Sequence, residues 1–129
     1  MKNLRIIARL DIKGQNLIKG IQLEGLRKLG NPFDYAKKYF DSGIDEIIYL
    51  DTVASLYQRD SLMNIIKNTT NNIFIPFTVC GGIRSEEDVE NILYSGADKI
   101  GINSAAIKEP NILNKVAKKF GSQCVTLSI

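Results

Sequence analysis

Short apolar runs rich in β-branched residues alternate along this chain with longer, charge-rich stretches whose apolar positions recur every three or four residues. The first pattern predicts strands, the second helices with one apolar stripe. Strands are predicted over 4–12 (LRIIARLDI), 45–51 (DEIIYLD), 73–79 (IFIPFTV), 98–103 (DKIGIN) and from 124 onward (CVTLSI). Helices fill the gaps. One spans 31–43, with Pro32 near its first turn and Gly43 just past its end. A second covers 58–71, where Leu62, Ile65 and Ile66 make the apolar face. Ser85 and Asp88 form a capping-box pair for a third, which runs to Tyr94 and stops at Gly96. Pro110 opens a fourth, which runs to Phe120 and ends at Gly121.

This strand–helix alternation implies parallel strands with helices packed outside them. The helix-to-strand turns are tight, whereas the strand-to-helix connections carry the polar residues and glycines. The first connection, 13–30, is long and reads as a lid or binding loop. Two architectures compete: an open doubly wound sheet and a (β/α)8 barrel. A dinucleotide fold would place G-x-G-x-x-G after the first strand, and the sequence there is DIKGQN. A complete barrel takes about 250 residues. Four βα units and the start of a fifth strand make about half of one, in a single domain over 1–129. Its first and last strands would expose unpaired edges, an association hazard. The expectation is a fragment, or a chain that assembles with another half-barrel.

Composition narrows the chemistry. Apolar residues make up 44% and charged residues 24% of the 129, as in ordinary globular domains. The net charge of +3 comes from scattered lysines, which argues against nucleic-acid binding. There is no histidine, so Ser-His and Cys-His nucleophile systems are excluded. Acid–base work falls to Asp, Glu, Lys, Tyr or Cys. Cys80 and Cys124 lie far apart with no metal-like spacing and read as buried thiols in a reducing cytoplasm. No metal or cofactor is expected. Arg9 and Asp11 interrupt the N-terminal apolar run, so it does not read as a signal peptide, and no stretch is apolar enough to span a bilayer.

The segments RIIARLDI, LIKG, GIDEIIYLD, PFTV-GGI, GADKI-IN-AA and FGSQ resemble the N-terminal half of the cyclase subunits of imidazole glycerol phosphate synthases, at matched spacing over essentially the whole chain. The resemblance implies a TIM barrel of the (β/α)8 family, here a half barrel of four βα units plus a fifth strand. It implies a lyase of histidine biosynthesis that takes ammonia from a glutaminase partner. That ammonia converts a phosphorylated ribotide into imidazole glycerol phosphate and aminoimidazole carboxamide ribotide. The chain alone is expected to be inactive.

Reacting groups of a parallel barrel sit at the C-terminal ends of its strands. Asp11 ends the first strand, on the same face as Arg5, Ile7 and Arg9, and is the expected general acid–base. Asp51 ends the second strand facing the other way, so it is expected to orient a loop. Lys19, in the long first connection, matches a family lysine and is expected to touch substrate. In TVCGGIRSEED an apolar run ends in two glycines, so something must approach that backbone closely. Gly81 and Gly82 leave amides open to an anion. Glu86, Glu87 and Asp88 would repel one seated on the next helix, which moves the phosphate toward Asn103 and Ser104. The resemblance assigns a substrate phosphate to Gly82, Asn103 and Ser104.

At the other end Arg5, Glu46 and Lys99 face inward with alternating sign, which suggests a salt-bridged ring. The resemblance makes this ring the gate toward the glutaminase, with Asp45 and Asp98 beside it to help a partner dock. Three features depart from the family pattern. Arg9 stands where a small residue is usual and needs an anionic partner. The first connection is divergent, and Cys80 replaces a glycine of the usual triple. These features admit an alternative, a cyclase-like subunit for ammonia-dependent sugar amination in surface polysaccharide synthesis. A second alternative is a non-catalytic half-barrel.

Overall fold

The computed structural model describes residues 4–21, 25–53 and 59–128. In chain order its elements are β1 (Ile7–Lys13), β2 (Asn16–Ile21), β3 (Gly25–Gly30), α1 (Pro32–Asp41), β4 (Glu46–Asp51), α2 (Arg59–Asn72), β5 (Phe77–Cys80), α3 (Glu86–Tyr94), β6 (Lys99–Ile102), α4 (Ser104–Lys108), α5 (Asn111–Phe120) and β7 (Val125–Leu127), with a 3-10 turn at Ser122–Cys124 before the last strand. One sheet runs β3-β2-β1-β4-β5-β6-β7. Strands β1, β4, β5, β6 and β7 are parallel neighbours, and this is half of a TIM barrel.

Local chemistry sets the helix starts. The Asn31 side chain accepts from the Phe33 amide at 2.8 Å ahead of Pro32. Ser85 and Asp88 make the expected reciprocal capping box, and Asp88 also accepts from the Arg84 amide at 2.8 Å. The sequence SGIDEI at 42–47 recurs as SGADKI at 95–100, and the two segments do the same work. Asp45 Oδ2 accepts from the Ile6 amide at 2.7 Å, and Asp98 Oδ2 from the Phe77 amide at 2.8 Å. In return the Asp45 and Asp98 amides donate to the carbonyls of Ile6 and Phe77. Each aspartate thereby ties the start of its own strand to the start of the preceding parallel one.

The connection expected to be a loop over 13–30 is instead a β-hairpin. Gly14 and Gln15 make a two-residue turn, with Gly14 at φ 60°, and Lys13 pairs with Asn16 across it. Strands β2 and β3 run antiparallel along the flank of β1, and Leu17 and Ile18 are buried. Among the described residues β2 pairs with β1 at Ile12 and Lys13. Helix α4 also lies in what reads as loop, directly after β6. The third predicted strand shrinks to Phe77–Cys80: Phe74 is exposed, and Pro76 has no amide to give a ladder. Both cysteines are half-buried rather than buried.

The core lies between the sheet and its helices. Leu10, Ile12, Ile47, Tyr49, Phe77, Val79, Ile100 and Ile102 from the strands pack with Ala36, Ile66, Val89, Ile92 and Val116 from the helices. Tyr49 is fully buried, with its ring edge-on to Phe77 at 4.7 Å and its hydroxyl 2.9 Å from Thr69 Oγ1. Burial pushes its phenol up to about 12, and the Thr69 hydrogen bond only partly offsets this.

Below about pH 10 folded and unfolded chains both hold this proton, and above it only the folded chain does, so stability falls as pH rises toward the folded value. Chemical denaturation of the full-length protein at pH 9 and near pH 12 should show an excess loss of about 2–3 kcal/mol relative to Tyr49→Phe. Equal losses in the two proteins would show that Tyr49 is not desolvated.

Candidate functional site

The register sorts the inner face, away from the helices, into rows. At the C-terminal strand ends Asp11, Leu50, Cys80, Gly101 and Thr126 stand side by side. Below them come Arg9, Ile48, Thr78 and Lys99, and below those Ile7 and Glu46. A cleft of about 790 Å³ opens at the C-terminal ends. Gly81, Gly82, Asn103 and Ser104, the residues expected to meet a phosphate, all line it, together with Asp51 and Arg9.

Both glycines sit at positive φ. Gly81 sits at φ 93°, and a Cβ there would overlap the Asp51 carbonyl oxygen and lie 3.0 Å from its carbon. The body that comes so close is therefore the end of β4. Gly82 has φ 68° and turns the chain along the cleft. Asp51 holds the same corner from its own side, with Oδ1 accepting from the Val53 amide at 3.2 Å. Thr52 donates to the Ile12 carbonyl from both its amide, at 2.9 Å, and its hydroxyl, at 3.0 Å. Next door, a Cβ on Gly101 would overlap Cys80 Sγ, so the thiol occupies the space that this glycine leaves. Burial pushes the Cys80 thiol up, while the Arg9 charge and the Gly101 backbone pull it down.

The Asn103 carbonyl accepts from the Ala106 and Ile107 amides and so starts α4. Its side chain makes no capping hydrogen bond. Ser104 beside it is exposed. Arg84 and Lys108 also line the cleft. Their charges were not anticipated: Lys108 sits at the end of a helix too short to read from periodicity, and Arg84 lies beside three acidic residues.

Asp11 stands in the top row but does not itself line the cleft. Arg9 Nε lies 3.1 Å from its Oδ1, and an Arg9 Nη is 3.5 Å from Oδ2. Oδ1 is shielded from solvent and receives no aligned hydrogen bond among the described residues, where its attraction to Arg9 is one of charge. Asp11 is the anion that the Arg9 guanidinium required, but the guanidinium is exposed on the inner face rather than buried. Lys19 is not brought to the site. It lies exposed on β2 opposite Arg27, within the hairpin, and does not line the cleft.

At the opposite end Glu46 is buried and takes two cations. Arg5 pairs with Oε1, and Lys99 Nζ lies 3.6 Å from Oε2. Asp98, expected beside this cluster as a docking group, has its carboxylate engaged by the Phe77 amide, as Asp45 has by the Ile6 amide. Among the described residues no group of three or more His, Cys, Asp or Glu side chains could hold a metal ion, and no helix is long and apolar enough to cross a membrane.

The model of the family described as histidine biosynthesis protein matches residues 5–129. The chain is 60% identical over 129 residues to the imidazole glycerol phosphate synthase subunit HisF of Legionella pneumophila, covering 100% of this chain and 61% of that protein. It is 46% identical over 125 residues to the HisF subunit of Campylobacter concisus (strain 13826), covering 97% of this chain and 50% of that one. For the subunit of Myxococcus xanthus (strain DK1622) the identity is 44% over 129 residues, with 100% and 51% covered. The chain thus spans about half to three fifths of the length of these curated relatives.

The Asp51–Gly81 approach generates a direct test. Gly81→Ala combines a positive φ with a backbone overlap and should cost about 2–3 kcal/mol in urea denaturation of the full-length protein. A cost below about 0.5 kcal/mol would mean that the two corners are not in contact.

Proposed function

The chain belongs to the histidine biosynthesis protein family, and from that premise we propose that it carries part of the ammonia-using cyclase site of an imidazole glycerol phosphate synthase. The observation that supports this most is convergence. Two separate strand-to-helix connections, 81–82 and 103–104, line one cleft at the C-terminal strand ends, and the Arg9–Asp11 pair stands at its edge.

In this reading the substrate is a phosphorylated ribotide. The backbone at Gly81 and Gly82, the Asn103 amide and the Ser104 hydroxyl hold its phosphate, with Arg84 and Lys108 adding positive charge. Asp11 moves the proton. Ammonia adds to an electrophilic carbonyl carbon and gives a proton to the carboxylate, which returns it to the departing oxygen as water leaves. The nitrogen so installed then attacks the neighbouring formimino carbon, and the ring closes as the carboxamide ribotide leaves with its amine protonated. Asp51 acts through its corner, holding the end of β4 against Gly81.

The relatives are named as subunits of a synthase, so the protein works beside another subunit. We take that partner to be a glutaminase that docks on the end bearing Arg5, Glu46 and Lys99 and delivers ammonia past them. A reaction of this kind on soluble phosphorylated intermediates fits the cytoplasm.

The test is turnover of the ribotide by the full-length protein with an ammonium salt as nitrogen source. Asp11→Asn should lower kcat by about 10²–10⁴-fold. Ser104→Ala should instead raise KM for the ribotide, since it removes a contact kept throughout the reaction. Wild-type kcat in Asp11→Asn would remove Asp11 from the mechanism.

A further inference from the structure

We propose that Arg9 is a positioning residue: its guanidinium clamps the Asp11 carboxylate on the inner face and couples it to an anion seated in the cleft. The inference rests on the reading of Asp11 as the acid–base group and goes beyond it by assigning what holds that group. Arg9 lies in the middle row of the inner face. Its row neighbours toward the centre of the sheet are Ile48 and Thr78, neither of them charged. The carboxylate below is Glu46, and both its oxygens are taken, Oε1 by Arg5 and Oε2 by Lys99. The carboxylate above is Asp11, two residues along the same strand and therefore on the same face. Arg9 meets it with two nitrogens, Nε at 3.1 Å and an Nη at 3.5 Å.

Arg9 lines the cleft alongside Gly82, Asn103 and Ser104, whereas Asp11 does not. The guanidinium thus spans the distance between the carboxylate and the space where a phosphorylated substrate would sit. Its planar fork can hold a carboxylate on one edge and offer its remaining N–H groups to an anion on another. A lysine is a single point charge and can do only one of these well. Among the described residues Oδ1 is shielded and has no aligned hydrogen bond, which leaves Arg9 as the group that orients Asp11 in this reading.

Arg9→Met and Arg9→Lys in the full-length protein test this, assayed with ribotide and ammonium salt. A carboxylate misplaced by an ångström or less lowers kcat by about 10–100-fold, loss of the contact to the anion raises KM for the ribotide, and Arg9→Lys recovers part of both. In an Asp11→Asn background Arg9→Met should lower kcat no further, because Arg9 acts on the chemical step through the missing carboxylate. The thermal midpoint should move by no more than about 2 °C, as for other exposed ion pairs. A crystal structure of Arg9→Met should show the Asp11 carboxylate turned from its wild-type orientation. The proposal is overturned by an unchanged kcat in Arg9→Met, by an equal loss in the Asp11→Asn background, or by an unmoved carboxylate. Should the wild-type protein not turn over the ribotide, the reading of the reaction falls by itself, and the orientation of Asp11 in Arg9→Met still decides whether the clamp exists.

Discussion

Register between parallel strands decides which side chains share the inner face, and the molecule pins that register at the strand starts. Asp45 and Asp98 each exchange hydrogen bonds, side chain and amide, with a residue at the start of the neighbouring strand, Ile6 just before β1 and Phe77 at the head of β5. A slip of one residue would send Arg9, Asp11 and Glu46 toward the helices and bring Leu10, Ile12 and Ile47 out to solvent. The cost of exposing that much apolar surface makes the correct pairing cooperative with the core. The cleft at the other end of the strands inherits its geometry from these anchors.

Charge on the inner face is organised by the same rows. Two carboxylates stand at opposite ends, and each has its own cations: Glu46 has Arg5 and Lys99, and Asp11 has Arg9. Uncharged side chains separate the two sets within the sheet, Ile48 and Leu50 on β4 and Thr78 and Cys80 on β5. Glu46 is buried and doubly paired, so loss of either cation would leave an ill-compensated charge. Asp11 is partly open and, among the described residues, pairs with Arg9.

Much of this was legible in the residues. The parallel strands announce themselves because each is a short β-branched run between amphipathic stretches, and the capping pair Ser85–Asp88 marks its helix to the residue. The resemblance to a barrel family pointed to both cleft-lining loops, and the family model covers residues 5–129. What failed did so for physical reasons. Strands β2 and β3 were hidden because Lys19 and Gly20 break the alternation and the turn leading into β2, Gly14–Gln15, is a weak signal. Helix α4 has too few residues to show a period. Lys19 was placed by the family pattern in a loop that this chain folds as a strand. That the Asp51 carbonyl presses on Gly81 is a tertiary fact, and no local pattern contains it.

The packing of Cys80 against Gly101 limits how this site can drift. The sulfur of one residue fills the space that the other leaves by having no side chain. Any enlargement at 101 is blocked until 80 has shrunk, whereas 80 can shrink at any time and leave only a small void. The two positions are therefore open to change in one order and closed to it in the other, and the shape of the cleft floor keeps a memory of which came first.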